Sequence, residues 1–213
     1  MLKVEGPFND VVHSVAELRE LTGDAGDLAK NKVISHLDSH SIEFIRQSPF
    51  LILSTVDQSG SCDASPRGDQ PGFVHILESK RLIIPERRGN KRLDSLQNIL
   101  NQPTAGLLFI IPGMGETLRV NGRAYITKNQ KYLEKMKVQG KPPLLGIGVE
   151  VDEVFIHCAK AFKRSKLWEQ DSWLQEDERP SAARMMADHA KMDGVTAESV
   201  EQRLEEGYIK RLY

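Results

Sequence analysis

Arg87, Arg88, Lys91 and Arg92 crowd into one short turn around Gly89-Asn90. Cations at that spacing cannot neutralise one another, and their natural counterpart is a multiply charged anion such as a phosphate. The turn joins two contrasting stretches. Before it, Leu82, Ile83 and Ile84 form a short apolar strand pattern that Pro85 is expected to stop. After it, Leu93, Leu96, Ile99 and Leu100 recur at helical spacing, predicting a helix over residues 91–102. Strand, cationic turn and helix start bring side-chain charge to the same place as free backbone N–H groups and the positive end of the helix dipole. Taken alone, such a turn is more commonly a solvated surface loop, so the rest of the chain has to decide.

The chain has 213 residues, enough to bury a substantial core without disulfides or metals. Lys+Arg 29 against Asp+Glu 30 gives a net charge of −1, which argues against nucleic acid as a partner. The cations are concentrated, not abundant. Cys62 and Cys158 have neither disulfide-scaffold nor zinc-site spacing, and the six histidines show no metal-type clustering, so no metal is expected. No signal peptide and no apolar run of membrane-spanning length is apparent, and a reducing, cytoplasmic setting without a membrane partner fits.

The elements that must position the turn are mostly strands. Residues 50–56 read as a strand, 57–60 as a hairpin turn with Gly60 free to take positive φ, and 62–66 as the returning strand. Residues 73–77 and 82–84 make a further pair, 105–111 another strand, and 144–156 the last. Residues 118–127 are the clearest, with Leu118, Val120, Gly122, Ala124 and Ile126 alternating against Arg119, Asn121, Arg123 and Tyr125. Helices are expected near 14–23, 41–47, 129–138 and 181–191, with a last one capped by Thr196. That is a mainly β chain with peripheral helices, arranged as a small antiparallel barrel and not as a βαβ sheet. The organisation is a helical extension over 1–49, the barrel over 50–160, and a C-terminal helical extension over 161–213. Residues 50–53 and 107–111 are apolar on both faces, so their outer face should meet a helix or a second subunit, and a homodimer is expected.

The order of features resembles the split-barrel flavoproteins related to pyridoxamine 5′-phosphate oxidase. The residues that carry it are Leu53-Ser54-Thr55-Val56-Asp57 with Gly60, Ser65-Pro66-Arg67-Gly68, the basic turn ending in Asn90-Lys91, Asn98, and Arg119-Val120-Asn121-Gly122-Arg123-Ala124. The resemblance implies an FMN-binding split barrel of antiparallel, Greek-key-like strands, a homodimer with FMN at its interface, and an oxidoreductase of a small-molecule substrate. Carried over by position, Arg67, Arg88, Asn90, Lys91 and Arg92 would contact the phosphate. Ser65, Pro66, Gly68 and Pro85 would lie along the ribityl chain or the ring. Arg119, Lys160 or Arg164 could place a cation near N1 and the C2 carbonyl, and Trp168 could stack on the ring from a partner subunit. The chain departs from the oxidase at Asn90-Lys91, where the oxidase has an Arg-Lys step, and in lacking its basic C-terminal segment. It continues instead through His157-Cys158-Ala159-Lys160-Ala161, like a branch of the family with that run after its last strand. Vitamin B6 oxidation is therefore not the expected reaction.

Other readings stay open at this stage. A flavin-binding stress or redox-sensing protein without turnover has the same residues, and so do members of the fold that hold a deazaflavin or a heme. His157 and Cys158 are the candidate axial ligands for heme; they also look like a catalytic pair, but adjacent residues at a strand end point apart and structural packing explains them better than catalysis. The stripe Val200, Leu204, Tyr208 and Leu212 in the last helix needs a partner surface, either the barrel or a second subunit, and is a candidate lid over the flavin.

Overall fold

The computed structural model describes residues 7–213. Two compact units are present, one ending at Val33 and one over residues 34–213. In the first, α1 (Val15–Thr22) starts where Ser14 Oγ accepts the Glu17 N–H at 3.1 Å and stops at Gly23, whose φ of 73° only glycine adopts freely. A short α2 (Asp27–Asn31) follows, in a stretch whose polarity gave no helical signal.

The second unit is built on one seven-stranded, wholly antiparallel sheet. Its strands are β1 (Phe50–Val56), β2 (Cys62–Gly68), β3 (His75–Glu78), β4 (Arg81–Glu86), β5 (Thr104–Ile110), β6 (Thr117–Thr127) and β7 (Leu145–His157). Their order is β2-β1-β5-β6-β7-β4-β3, so β2 and β3 are open edges and the barrel is split, not closed. The β1–β2 turn is held by Asp57, whose Oδ1 accepts the N–H groups of Ser59 and Ser61 at 2.8 and 2.9 Å, with Gly60 at φ 89°. Alternation along β6 holds as expected, with Leu118, Val120, Gly122 and Ala124 buried and Arg123 and Tyr125 exposed.

Three expectations change. Pro85 does not stop β4: the strand runs through it, and Pro85 pairs with Gly146 of β7. Because β3 pairs only with residues 81–83, one side of the strand at Pro85 has no ladder to break, and a missing N–H there costs little. The helix after the basic turn starts later than expected, as α4 (Asp94–Asn101). The expected helix over 129–138 is α5 (Gln130–Leu133) followed by one 3₁₀ turn, Glu134–Met136. After β7 comes α6 (Lys160–Ser165), which the sequence did not signal, then α7 (Ala182–Ala190) and α8 (Ala197–Lys210).

The core joins Leu51, Leu53, Leu107, Phe109, Val120, Ile147 and Val149 of the sheet to Leu96 and Ile99 of α4 and Ile45 of α3 (Ser39–Gln47). The last helices pack on each other, burying Ala183 of α7 and Val200 of α8. Farther along the stripe Leu204 is half-buried, while Tyr208, 66% exposed, and Leu212 beyond the helix, 58% exposed, stay open. No helix among the described residues is long and apolar enough to cross a membrane.

Candidate functional site

The split in the barrel is where β2, the end of β4 and α4 come together. Ser65 and Arg67 share the face of their β1 partners Leu53 and Leu51, which are core residues, so both side chains turn inward. Arg67 Nη1 donates to Glu86 Oε2, and each of these side chains is 17% exposed. The pair bridges strands that are not neighbours in the sheet. A second pair crosses beside it, Arg87 Nε to Asp69 Oδ2 at 2.7 Å, with the carboxylate only 2% exposed. Arg67 Nε is buried and has no hydrogen-bond partner among the described residues.

Helix α4 is fastened to the same edge. The buried Asn98 amide donates to Asp63 Oδ2 at 2.7 Å and to Thr55 Oγ1 at 3.1 Å, while Ser65 Oγ and Ser95 Oγ lie 3.1 Å apart. The helix begins without a side-chain cap. By contrast α1, α3, α5, α7 and α8 are capped by Ser14, Asp38, Asn129, Ser181 and Thr196. The first N–H groups of α4 are therefore left open toward the turn, where an anion would be favoured.

The turn is internally braced. Asn90 Oδ1 accepts the Arg92 N–H at 3.0 Å, Gln97 Nε2 donates to the Arg92 carbonyl at 2.9 Å, and Arg92 Nε donates to Asp94 Oδ2 at 2.8 Å. The hydrogen bond and charge of Asp94 raise the already high pKa of Arg92. Lys91 and Leu93 take left-handed backbone conformations, φ 62° and 63°, each costing about 1–3 kcal/mol in a residue other than glycine. Among the described residues, Arg88 and Lys91 are exposed and make no hydrogen bond or ion pair. Of the cations in the turn, these two are uncommitted.

A family model described as pyridoxamine 5′-phosphate oxidase matches residues 37–158, more than half of the chain. The chain belongs to the pyridoxamine 5′-phosphate oxidase family. No curated protein matches it. Solved structures similar to it include Group A Streptococcus HupZ, at 19% identity over 56% of this chain and 92% of that one, TM-score 0.45. An FMN-binding protein from Syntrophomonas wolfei subsp. wolfei is 12% identical over 55% and 81%, TM-score 0.43. General stress protein 26 from Bacillus anthracis str. Sterne is 18% identical over 55% and 93%, TM-score 0.41.

In this member of the pyridoxamine 5′-phosphate oxidase family the residues singled out from the sequence fall into two groups. Ser65, Pro66, Arg67, Gly68, Pro85, Arg88, Asn90, Lys91 and Arg92 all lie on β2, at the end of β4 or in the turn that follows. Arg119, Lys160, Arg164 and Trp168 do not join them through any hydrogen bond, ion pair or ring contact among the described residues. Arg119, on the outer face of β6, donates to Glu153 Oε1 at 3.0 Å and lies 4.1 Å from the centre of the Phe155 ring. Trp168 stacks on Phe162 at 5.6 Å and donates to the Met114 carbonyl at 2.8 Å, which anchors the segment after α6 on the β5–β6 turn. Lys160 and Arg164 are exposed on α6.

Sequence reasoning missed the carboxylates. Glu86 and Asp69 decide which arginines are occupied, yet nothing about their spacing sets them apart from other acidic residues. An open cleft of about 280 Å³ lined by Leu77, Arg81, Ile83, Tyr125, Tyr132 and Glu150 contains none of the site residues and lacks a convergent set of charges.

Proposed function

We propose that this protein binds FMN at the split in its barrel, as a homodimer, and acts as a flavin-dependent oxidoreductase on a small organic molecule. The observation that carries the reading is the buried Nε of Arg67, unpartnered among the described residues, on a side chain tied to Glu86 at the entry to the turn that holds the uncommitted Arg88 and Lys91 and leads to the uncapped start of α4. These groups suit a phosphate: it needs several donors, and each charge-assisted hydrogen bond is worth about 1.5–3 kcal/mol. Asn90 and Arg92 shape the turn for it, and Ser65 faces it from β2, whereas Pro66, Gly68 and Pro85 stand on the opposite face of their strands and would meet the cofactor only through backbone. Bound FMN would supply the two-electron chemistry, so no nucleophilic side chain is required of the protein. The chain's own part is to neutralise the phosphate, to orient the cofactor and to present a face to the substrate.

Dimerisation is supported by the outer face of β1 and β5. The pairs Phe50–Ile110 and Ile52–Leu108 point outward, apolar and half-buried. Arg119, aligned with Leu108 and Phe155 across the sheet, stands at the margin of this patch. A second copy seated there would cover it and bring its own Arg119, Lys160, Arg164 and Trp168 toward the neighbouring flavin.

The deciding experiment is the absorbance of the purified protein, followed by denaturation and identification of what is released. FMN in the supernatant, with tighter binding of FMN than of riboflavin on reconstitution, is the expected result. A released heme or deazaflavin, or equal affinity for riboflavin, would overturn the reading. Sedimentation of Leu108→Asp tests the subunit arrangement: a monomer is expected, and an unchanged dimer removes this face from the interface.

A further inference from the structure

The chain returns to the split at its far end. Tyr213 Oη donates to Asp69 Oδ1 at 2.9 Å, and the Arg87 guanidinium lies 5.9 Å from the centre of the Tyr213 ring. The other Asp69 oxygen accepts from Arg87 Nε at 2.7 Å, and the Gln70 N–H donates to Oδ1 at 2.8 Å. Three segments remote in sequence thus meet on one buried carboxylate: the end of β2, the exit of β4 and the stretch after α8. Arg87 is the first cation of the basic turn and directly precedes Arg88, so its bond to Asp69 tethers the start of the turn that carries Arg88 and Lys91.

We propose that the segment after α8 is a strap, and that Tyr213 is a positioning residue which locks the Asp69–Arg87 pair and so couples the strap to the phosphate-binding turn. This rests on the phosphate site proposed above. The physical basis is solvent exclusion. The aromatic ring shields a buried ion pair from water, and in that environment the Arg87–Asp69 bond is stronger than it is when wet. With the ring removed, water reaches Asp69, Arg87 gains other orientations and the turn loses its fixed end. Coupling of this kind is reciprocal: a docked strap favours the anion, and a bound anion favours the docked strap.

The test uses the full chain with Tyr213→Ala and Tyr213→Phe, and reads hydrogen exchange in residues 87–92 and 197–213 together with the FMN dissociation rate. In Tyr213→Ala without FMN, exchange in the turn is expected to rise about tenfold, the equivalent of one charge-assisted hydrogen bond. FMN should leave that variant faster by a similar factor. Tyr213→Phe keeps the ring over Arg87 and should fall between it and the wild type. In the wild type, FMN should slow exchange in the strap. Normal FMN binding with unchanged exchange in the turn of Tyr213→Ala overturns the coupling alone. Failure of the wild type to bind FMN overturns the coupling together with the site it serves.

Discussion

Arg67 on β2 and Arg119 on β6 share a pattern: each gives one nitrogen to a glutamate, and each keeps a buried Nε without a partner. Their settings differ. Arg67 turns inward at the split, 17% exposed, and its glutamate ends β4, with four strands between the two in the sheet. Arg119 turns outward, its side chain 39% exposed, and its glutamate lies on the adjacent strand of the same antiparallel pair. Arg67 is tied to Glu86, two residues before the exposed Arg88 in the turn that leads to an uncapped helix, whereas Arg119 lies against Phe155 and a half-buried apolar face. The first environment suits an anion and the second suits a covering surface. A count of arginines would not have separated them; the company they keep does.

Mutations can break that comparison, and the largest effect is expected on the Arg119 side. A Cβ at Gly122 would lie 2.0 Å from the Glu150 carbonyl oxygen, next to the point where β6 and β7 shift register. Backbone cannot move aside as a side chain can, so Gly122→Ala should cost about 3 kcal/mol or more in urea unfolding. A loss below 1 kcal/mol would show that the irregularity is soft.

At the split, Arg88→Ala with Lys91→Ala should weaken FMN binding by about ten- to a hundredfold in a fluorescence titration, the equivalent of one charge-assisted bond of about 1.5–3 kcal/mol shared between two exposed, solvent-screened side chains. Riboflavin binding should barely change. Arg119→Ala should leave the FMN-to-riboflavin ratio where it was; a fall in that ratio would erase the distinction between the two arginines.

Asn98→Leu keeps the bulk of the side chain but strands Asp63 and Thr55 without their donor. We expect a loss of about 1–3 kcal/mol in stability, and weaker FMN binding as α4 loosens from β2. Wild-type stability would mean that apolar packing alone holds the helix.

The smallest effect is expected at Asp38, which caps α3 away from both arginines. Its hydrogen bonds from the Ser41 hydroxyl and N–H hold its pKa below the ordinary 3.8. A depressed folded pKa means that the stabilisation is present above the unfolded value and is lost as pH falls through the folded one. Asp38→Ala should cost about 0.5–2 kcal/mol at neutral pH, with a difference from wild type that shrinks under acid. A difference independent of pH would indicate that the carboxylate is not what caps the helix.

Most of the fold was legible because alternation and turn chemistry are local. Period two along β6, Asp57 with Gly60 in the first hairpin, and the caps Ser14 and Thr196 each declare themselves within a few residues. Pro85 misled because its effect depends on where β3 ends, a fact of the sheet and not of the strand. Helix α6 was invisible because it is one turn and a half long and is held in place by contacts of its flanking residues. In the site, the residue types of the cationic turn were readable. Which cations of the site are spent was not, since Arg67 pairs with Glu86 and Arg87 with Asp69 across the split, between segments far apart in sequence, and only the Arg92–Asp94 pair is local.

The strand order carries a mechanical consequence. Four strands lie between β2 and β4 in the sheet, so the two share no ladder of backbone hydrogen bonds and are joined across the split by ion pairs. A ligand gripped by Arg67 on one margin and by the turn on the other acts as a rivet across the gap. Occupancy would then be felt as resistance of the entire sheet to opening, and melting temperature should climb with ligand concentration by simple mass action.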